Sequence, residues 1–310
     1  MKSNVCIFGS NSILAKNFIQ NYRNNFNLIG IQREFNNQKN NESIKIIKFN
    51  LGAKYYHSQN NELLESLSSF DRLSFKTFII FSWAGKPRQV EEEICNMNSM
   101  INNNIFNNIF NISKTFRPNQ IIFISSSGAI YDQNSKSAFD ESYRPNPSTA
   151  YGYQKLEIEE KLNNFCKNDE INLTILRVSS AYGYDPNFPD NGVLNNWLFN
   201  AKNNKPIKVY NSLESSINFI SFTQISEAIN ICINKGIYGL YNLGSNESTK
   251  LKYILELVKL ISKKKNIEVE KLGDSVRNFY LNTNLFKSKA NIIFEDQIKI
   301  EAKKIYRLMN

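Results

Sequence analysis

Histidine is nearly absent from this 310-residue chain: His57 is the only one. The four cysteines, Cys6, Cys95, Cys166 and Cys232, are scattered and never form a CxxC pair. Protein zinc is held mainly by thiolates and imidazoles at short, regular spacings, so no metal site is expected and no Cys/His nucleophile either. Isolated thiols suit a reducing compartment, and a cytoplasmic protein is expected. Long apolar runs are missing too. No stretch nears the roughly 20 residues that a spanning helix needs, and Asn4 to Phe8 is too short for a signal-peptide core. Membrane insertion is therefore not expected.

Lysine and asparagine are what the chain has in quantity. Lysine plus arginine number 38 against 28 acids, a formal charge of +10. The cations are dispersed apart from Lys263-Lys264-Lys265 and Lys303-Lys304. Both clusters adjoin amphipathic stretches and read as solvated faces; with no recognisable motif, nucleic acid is not an expected partner. A positive field does favour dianionic substrates. In the densest asparagine segment, Met97, Met100, Ile101, Ile105, Ile109 and Phe110 keep helical spacing, which predicts a helix and not a low-complexity tract. The alternation of apolar runs with amphipathic stretches predicts one large α/β unit.

The stretch Pro147-Ser148-Thr149-Ala150-Tyr151-Gly152-Tyr153-Gln154-Lys155 holds a YxxxK pattern, and it occurs once among fifteen tyrosines. Four apart on a helix, a phenol and an ammonium share a face. About one strand and one loop earlier, Ile121-Ile122-Phe123-Ile124 reads as a central parallel strand that delivers Ser125-Ser126-Ser127 at its C-terminal end, where α/β sites form. Hydroxyl, phenol and ammonium together make a proton-transfer site for an alcohol or ketone. Upstream, Val5-Cys6-Ile7-Phe8 and Gly9 to Ala15 read as strand, tight turn and helix, a pyrophosphate cradle. Downstream, Leu173 to Arg177 is a strand running into Ser179-Ser180-Ala181-Tyr182-Gly183.

In this order the segments resemble the extended short-chain dehydrogenase/reductase family, in particular its nucleotide-sugar epimerases, dehydratases and ketoreductases, over nearly the whole chain. The resemblance implies a Rossmann-type doubly wound parallel sheet, in residues 1–183 with 217–243 returning to it. It also implies a smaller C-terminal substrate-binding cap, in residues 184–216 and 244–310. Ser127, Tyr151 and Lys155 then become the catalytic residues. Lys155 and the oxidised nicotinamide are expected to favour the phenolate of Tyr151, whose ordinary pKa is about 10. The implied cofactor contacts are Gly9, Asn11, Ser12, Ile13, Arg33, Asn50, Leu51, Trp83, Ala84, Asn102, Ser125, Tyr151 and Lys155, with Asn102 supporting the lysine.

Departures from the family pattern shape the rest. Of the GxxGxxG glycines only Gly9 is present, with Ser12 and Ala15 at the other two places. The second strand ends in Gln32-Arg33, without the acid that holds the ribose of NAD, so the NAD(P) site leans toward NADP; Glu34, one position on, is the residue that would reverse this. Gly128-Ala129 replace the acidic pair of the 4,6-dehydratases and argue against that activity. On the substrate side Ser127, Ser180, Val193 and Arg277 are the implied contacts. Ser180 occupies the place of an asparagine and Ile217 that of a diphosphate-binding arginine. The expected activity is oxidoreduction at a ring carbon, C4 foremost, of a nucleotide-activated hexose, by a 4-epimerase or a 4-ketoreductase serving surface polysaccharide synthesis. The alternative is a catalytically silent NADP-binding regulator on the same fold. A homodimer through the helices of Asn102 and Tyr151 is the family's arrangement.

Overall fold

The computed structural model describes residues 2–33, 44–54, 63–67, 75–86, 91–131, 137–264 and 266–309. Glu34, His57 and Lys265 lie outside the described residues. The chain divides into two compact units, one of residues 1–130, 147–176 and 226–240, the other of 131–146, 177–225 and 241–310.

A seven-stranded sheet organises the first unit, from β1 (Asn4–Phe8), β2 (Asn27–Gln32), β3 (Ile44–Lys48), β4 (Thr77–Ile80), β5 (Gln120–Ser126), β6 (Asn172–Val178) and β10 (Gly239–Leu243) in the order β10-β6-β5-β4-β1-β2-β3. β1 runs parallel to β2 and β4, β2 to β3, and β4 to β5. This is the doubly wound order 3-2-1-4-5-6 extended by one strand, and its carboxyl ends gather on one edge. The apolar runs explain the central position of β1 and β5. Val5 to Phe8 and Ile121 to Phe123 are all completely buried, as strands covered on both faces must be. Phe8 and Phe78 meet edge-on at 5.1 Å, and Phe106 meets Phe123 at 5.5 Å, joining sheet to helix. That helix, Glu92–Phe116, is the asparagine-rich one, and Asn102, Ile105, Phe106, Ile109 and Ile112 are its buried residues at helical spacing.

The second unit has its own core of Trp197, Leu198, Ile254, Val258, Ile298 and Ile305. Its strands are β7 (Ser180–Tyr182), β9 (Ser216–Ser221) and β11 (Ser248–Lys250) in one sheet, with β8 (Ile207–Val209) and β12 (Val269–Lys271) in another. No helix among the described residues is long and apolar enough to cross a membrane. Nor do the described residues hold a cluster of three or more His, Cys, Asp or Glu suited to a metal ion.

Candidate active site

At the end of β1 the chain must turn sharply into the helix Ile13–Tyr22, and Gly9 does so at φ +83°. A Cβ there would lie 2.7 Å from the Ser82 nitrogen, so the turn is seated directly on the segment after β4. The Gly9 and Ser10 amides donate to the Ile31 carbonyl. Ser12 caps the helix, its hydroxyl accepting from the Ala15 amide at 3.3 Å, and the first turn carries no acid. The buried Ala15 shows that a methyl is tolerated at the third glycine place. Asn11 is exposed, while Ser12 and Ile13 are half-buried. Sequence reasoning passed over Ser10. Its hydroxyl donates to Gln32 at 3.0 Å, and its side chain lies where a Cβ on Gly30 would sit. Gln32 is thus tied back to the turn, and Arg33 stands exposed at the strand end.

The serine strand ends as expected, and Ser127, buried, opens the short helix Ser127–Ile130. Thr149 caps the next helix, Ala150–Asn168, by accepting from the Gly152 amide at 3.1 Å. A Cβ on Gly152 would come 2.1 Å from the Ala129 carbonyl oxygen. Glycine is therefore what lets the Ser127 turn lie against the first turn of the Tyr151 helix. Lys155 is buried, and its ammonium donates to the Ile124 carbonyl at 3.0 Å. It sits 3.8 Å from the centre of the Trp83 ring and 5.7 Å from that of Tyr151, while Trp83 and Tyr151 meet edge-on at 5.7 Å. Tyr151, Lys155 and Trp83 thus form one cluster of the first unit, and the turn that opens with Ser127 packs on the helix that carries the first two.

Burial acts on both titratable groups toward their neutral forms. It pushes the Tyr151 phenol up to about 12 and pulls the Lys155 ammonium down to about 7, against the opposing pull of Glu159. Burial raises the phenol, so Lys155 by itself does not favour the phenolate; the expectation joined it with the charge of the oxidised nicotinamide.

The hydrogen bonds of Asn102 go to residues around Lys155. Its oxygen accepts from the Ala84 amide at 2.8 Å, and its nitrogen donates to the Ala84 carbonyl and to Gln154. Gln154 in turn donates to the Cys95 carbonyl. The asparagine therefore fixes the Trp83-Ala84 segment and reaches the lysine only through its neighbour. Ser125, implied as a cofactor contact, donates its hydroxyl to the buried Glu159. At the end of β3, Asn50 accepts from the Gly52 amide, and the carbonyls of Leu51 and Gly52 accept from Asn108 and Asn104. Gln154, Glu159, Asn104 and Asn108 were missed by sequence reasoning. Helical spacing was the available signal, since Glu159 follows Tyr151 and Lys155 at successive intervals of four.

In the second unit Ser180 is exposed, and Val193 opens the helix Val193–Lys202 behind Gly192. β7 pairs with β9 so that Ser180 is opposite Phe219, and Ile217 sits half-buried on β9 opposite Thr249 of β11. Arg277 is exposed, with its backbone amide bonded to the Ser215 hydroxyl. A second buried network surrounds Arg177, which donates to the Tyr131 hydroxyl at 2.9 Å; Tyr131 donates to Asn242, whose amide donates to Glu141.

The family model of the NAD dependent epimerase/dehydratase family matches residues 6–244. The chain belongs to this family. Its members are enzymes, and the match takes in both the glycine turn and the Tyr151 helix. The dTDP-4-dehydro-6-deoxyglucose reductase of Escherichia coli is 26% identical over 220 residues, 69% of this chain and 68% of that protein. Among solved structures, the UDP-glucose 4-epimerase of Thermotoga maritima with UDP-glucose superposes with a TM-score of 0.84 at 18% identity, covering 98% of this chain and 97% of that one. The UDP-glucuronic acid 4-epimerase of Bacillus cereus with UDP-glucuronic acid and NAD gives 0.84 at 16% identity and 98% of both chains. At these identities the structural likeness bears on the fold, which is that of the family's epimerases.

Proposed function

We propose that this family member carries out hydride and proton transfer at C4 of a nucleotide-activated hexose, as a 4-epimerase or a 4-ketoreductase. The observation that carries the reading is the packing of Gly152 on Ala129, which sets the Ser127 turn against the helix where Tyr151 and Lys155 stand one turn apart. The names of the relatives support C4, since the E. coli reductase acts on a 4-dehydro sugar and the two solved neighbours are 4-epimerases.

The residues fit a dinucleotide. A helix that starts without acids, behind a turn closed by Gly9, suits a pyrophosphate, held by Gly9, Asn11, Ser12 and Ile13. Arg33, just past a strand that carries no acid of its own, supports a 2′-phosphate and hence NADP, with Glu34, one position on in the sequence, the residue that would reverse this. Asn50 and Leu51 are assigned to the adenine, Trp83, Ala84 and Ser125 to the nicotinamide side, and Lys155 to its ribose, with Asn102 fixing Ala84. When bound, the oxidised nicotinamide supplies the hydride acceptor and a positive charge. Ser127 donates a hydrogen bond to the reacting sugar oxygen and orients it. Tyr151 takes or returns that oxygen's proton, and Lys155 joins the nicotinamide's charge in favouring the phenolate. In the second unit Ser180, Val193 and Arg277 are assigned to the sugar nucleotide, with Arg277 as the diphosphate cation in place of the arginine replaced by Ile217.

The exposed Met97, Met100 and Tyr153 on the helices Glu92–Phe116 and Ala150–Asn168 support a homodimer through that pair. Four free thiols support a cytoplasmic enzyme, one that supplies activated sugars for a surface polysaccharide. Mass spectrometry of ligands retained through purification separates the two reactions. An epimerase regenerates its cofactor and keeps it, so a retained dinucleotide is the epimerase outcome; a site emptied on purification and refilled by NADPH is the reductase outcome.

A further inference from the structure

One buried acid shares the helix face of the proposed chemistry without a part in it. Glu159 follows Tyr151 and Lys155 at successive intervals of four and is 4% exposed. Its Oε1 accepts from the Ser125 hydroxyl, a bond that ties this helix to β5 two residues before Ser127. Lys155 stands between these elements. From β5 it meets the Ile124 carbonyl and the Phe123 ring, and from the segment after β4 the Trp83 ring. Its own helix presents the Tyr151 ring and the field of Glu159. Glu159 is the charged group whose field opposes burial at this ammonium. A buried carboxylate is costly to keep, and an amide would accept the Ser125 bond equally well.

We propose that Glu159 is a positioning residue, a carboxylate clamped by Ser125 that keeps Lys155 in its ammonium form beside Tyr151. The inference rests on the reading of Tyr151 as the proton-transfer group. Its sign follows from the two opposing effects on the lysine. Burial, the larger, brings Lys155 down to about 7, and Glu159 pulls it back up. Without that carboxylate the proton leaves at still lower pH. A neutral Lys155 leaves Tyr151 without a protein cation beside it.

The test follows Lys155 itself, by NMR of protein carrying 13C,15N-lysine, with the resonance assigned by its loss in Lys155→Met and no substrate added. The wild-type ammonium is expected to titrate near neutrality. In Glu159→Gln it is expected to titrate about one pH unit lower or more, and in Glu159→Asp, which keeps the charge, by less than in Glu159→Gln. A Lys155 titration unchanged in Glu159→Gln overturns the proposal. Should that variant not fold, Glu159→Met and Glu159→Ala, which also remove the charge, are read the same way, and a wild-type Lys155 titration in either folded variant overturns it. On a reactive sugar nucleotide, the alkaline limb of single-turnover hydride transfer shifts downward in Glu159→Gln together with the titration. If no sugar nucleotide reacts, the enzymatic reading fails on its own while the titration still decides the role of Glu159.

Discussion

The two units treat their proposed ligand contacts in opposite ways. In the first, Ser127 and Lys155 are buried, and the residues around them are locked by Gly152 on Ala129, Asn102 on Ala84, and Ser125 on Glu159. In the second, Ser180 and Arg277 are exposed, and Ile217, at the place the resemblance gives to a cation, is apolar and half-buried. Groups that move a proton must be held in place and partly desolvated, because orientation and a shifted pKa are what make them useful. A contact to a nucleotide diphosphate acts through charge and tolerates solvent. A chain can therefore change what it grips while leaving its reaction intact, and in this account the second unit is where the change has taken place.

That contrast is open to breakage, beginning at the first unit. Tyr151→Phe keeps the ring that packs on Trp83 and removes only the oxygen, so folding and dinucleotide affinity should hold while single-turnover hydride transfer falls about 10²- to 10⁴-fold. A variant with the wild-type rate would end the assignment of the phenol. For the second unit, Arg277→Leu should raise the KM for the sugar nucleotide about 10- to 100-fold, the loss of one charge-assisted contact, and leave dinucleotide binding alone. An unaltered KM would mean that the second unit holds its ligand by other means. The smallest effect belongs to an exposed residue of the first unit. Arg33→Ala should weaken NADPH about three- to tenfold more than NADH, a modest ratio because solvent screens the guanidinium. Equal losses in parallel titrations would remove the preference for NADP.

Most of the first unit was legible in the sequence, because its signals are local and periodic. The continuous apolar runs of β1 and β5 marked buried parallel strands, the spacing of Met97 to Phe110 marked the long helix, and Gly9 marked the turn. The cross-links were not legible. Asn102 answers to Ala84 and Gln154 across a distance that only folding closes, and Asn104 and Asn108 were lost in a background rich in asparagine. The effect of burial on the Tyr151 phenol was not legible either, since sequence order reports which charges are near but not how much water has been removed. Gly152, inside the motif itself, gave no sign that its missing Cβ is what admits the Ser127 turn. In the second unit the short strands that hold Ser180 and Ile217 were not read from pattern; those two places came from the resemblance, and the apolar Ile217 obscures the chemistry of their ligand.

The most direct test of the central claim follows one deuterium atom. Sugar nucleotides deuterated at C4, carried on UDP, GDP and dTDP, are mixed with the protein and oxidised dinucleotide; in the reverse direction, deuterated NADPH is mixed with the 4-keto sugars. The account predicts that deuterium passes between C4 and the nicotinamide for at least one of these substrates, and that Tyr151→Phe slows the passage. Transfer to or from C3, or no transfer with any of the three nucleotides in either direction, would contradict it.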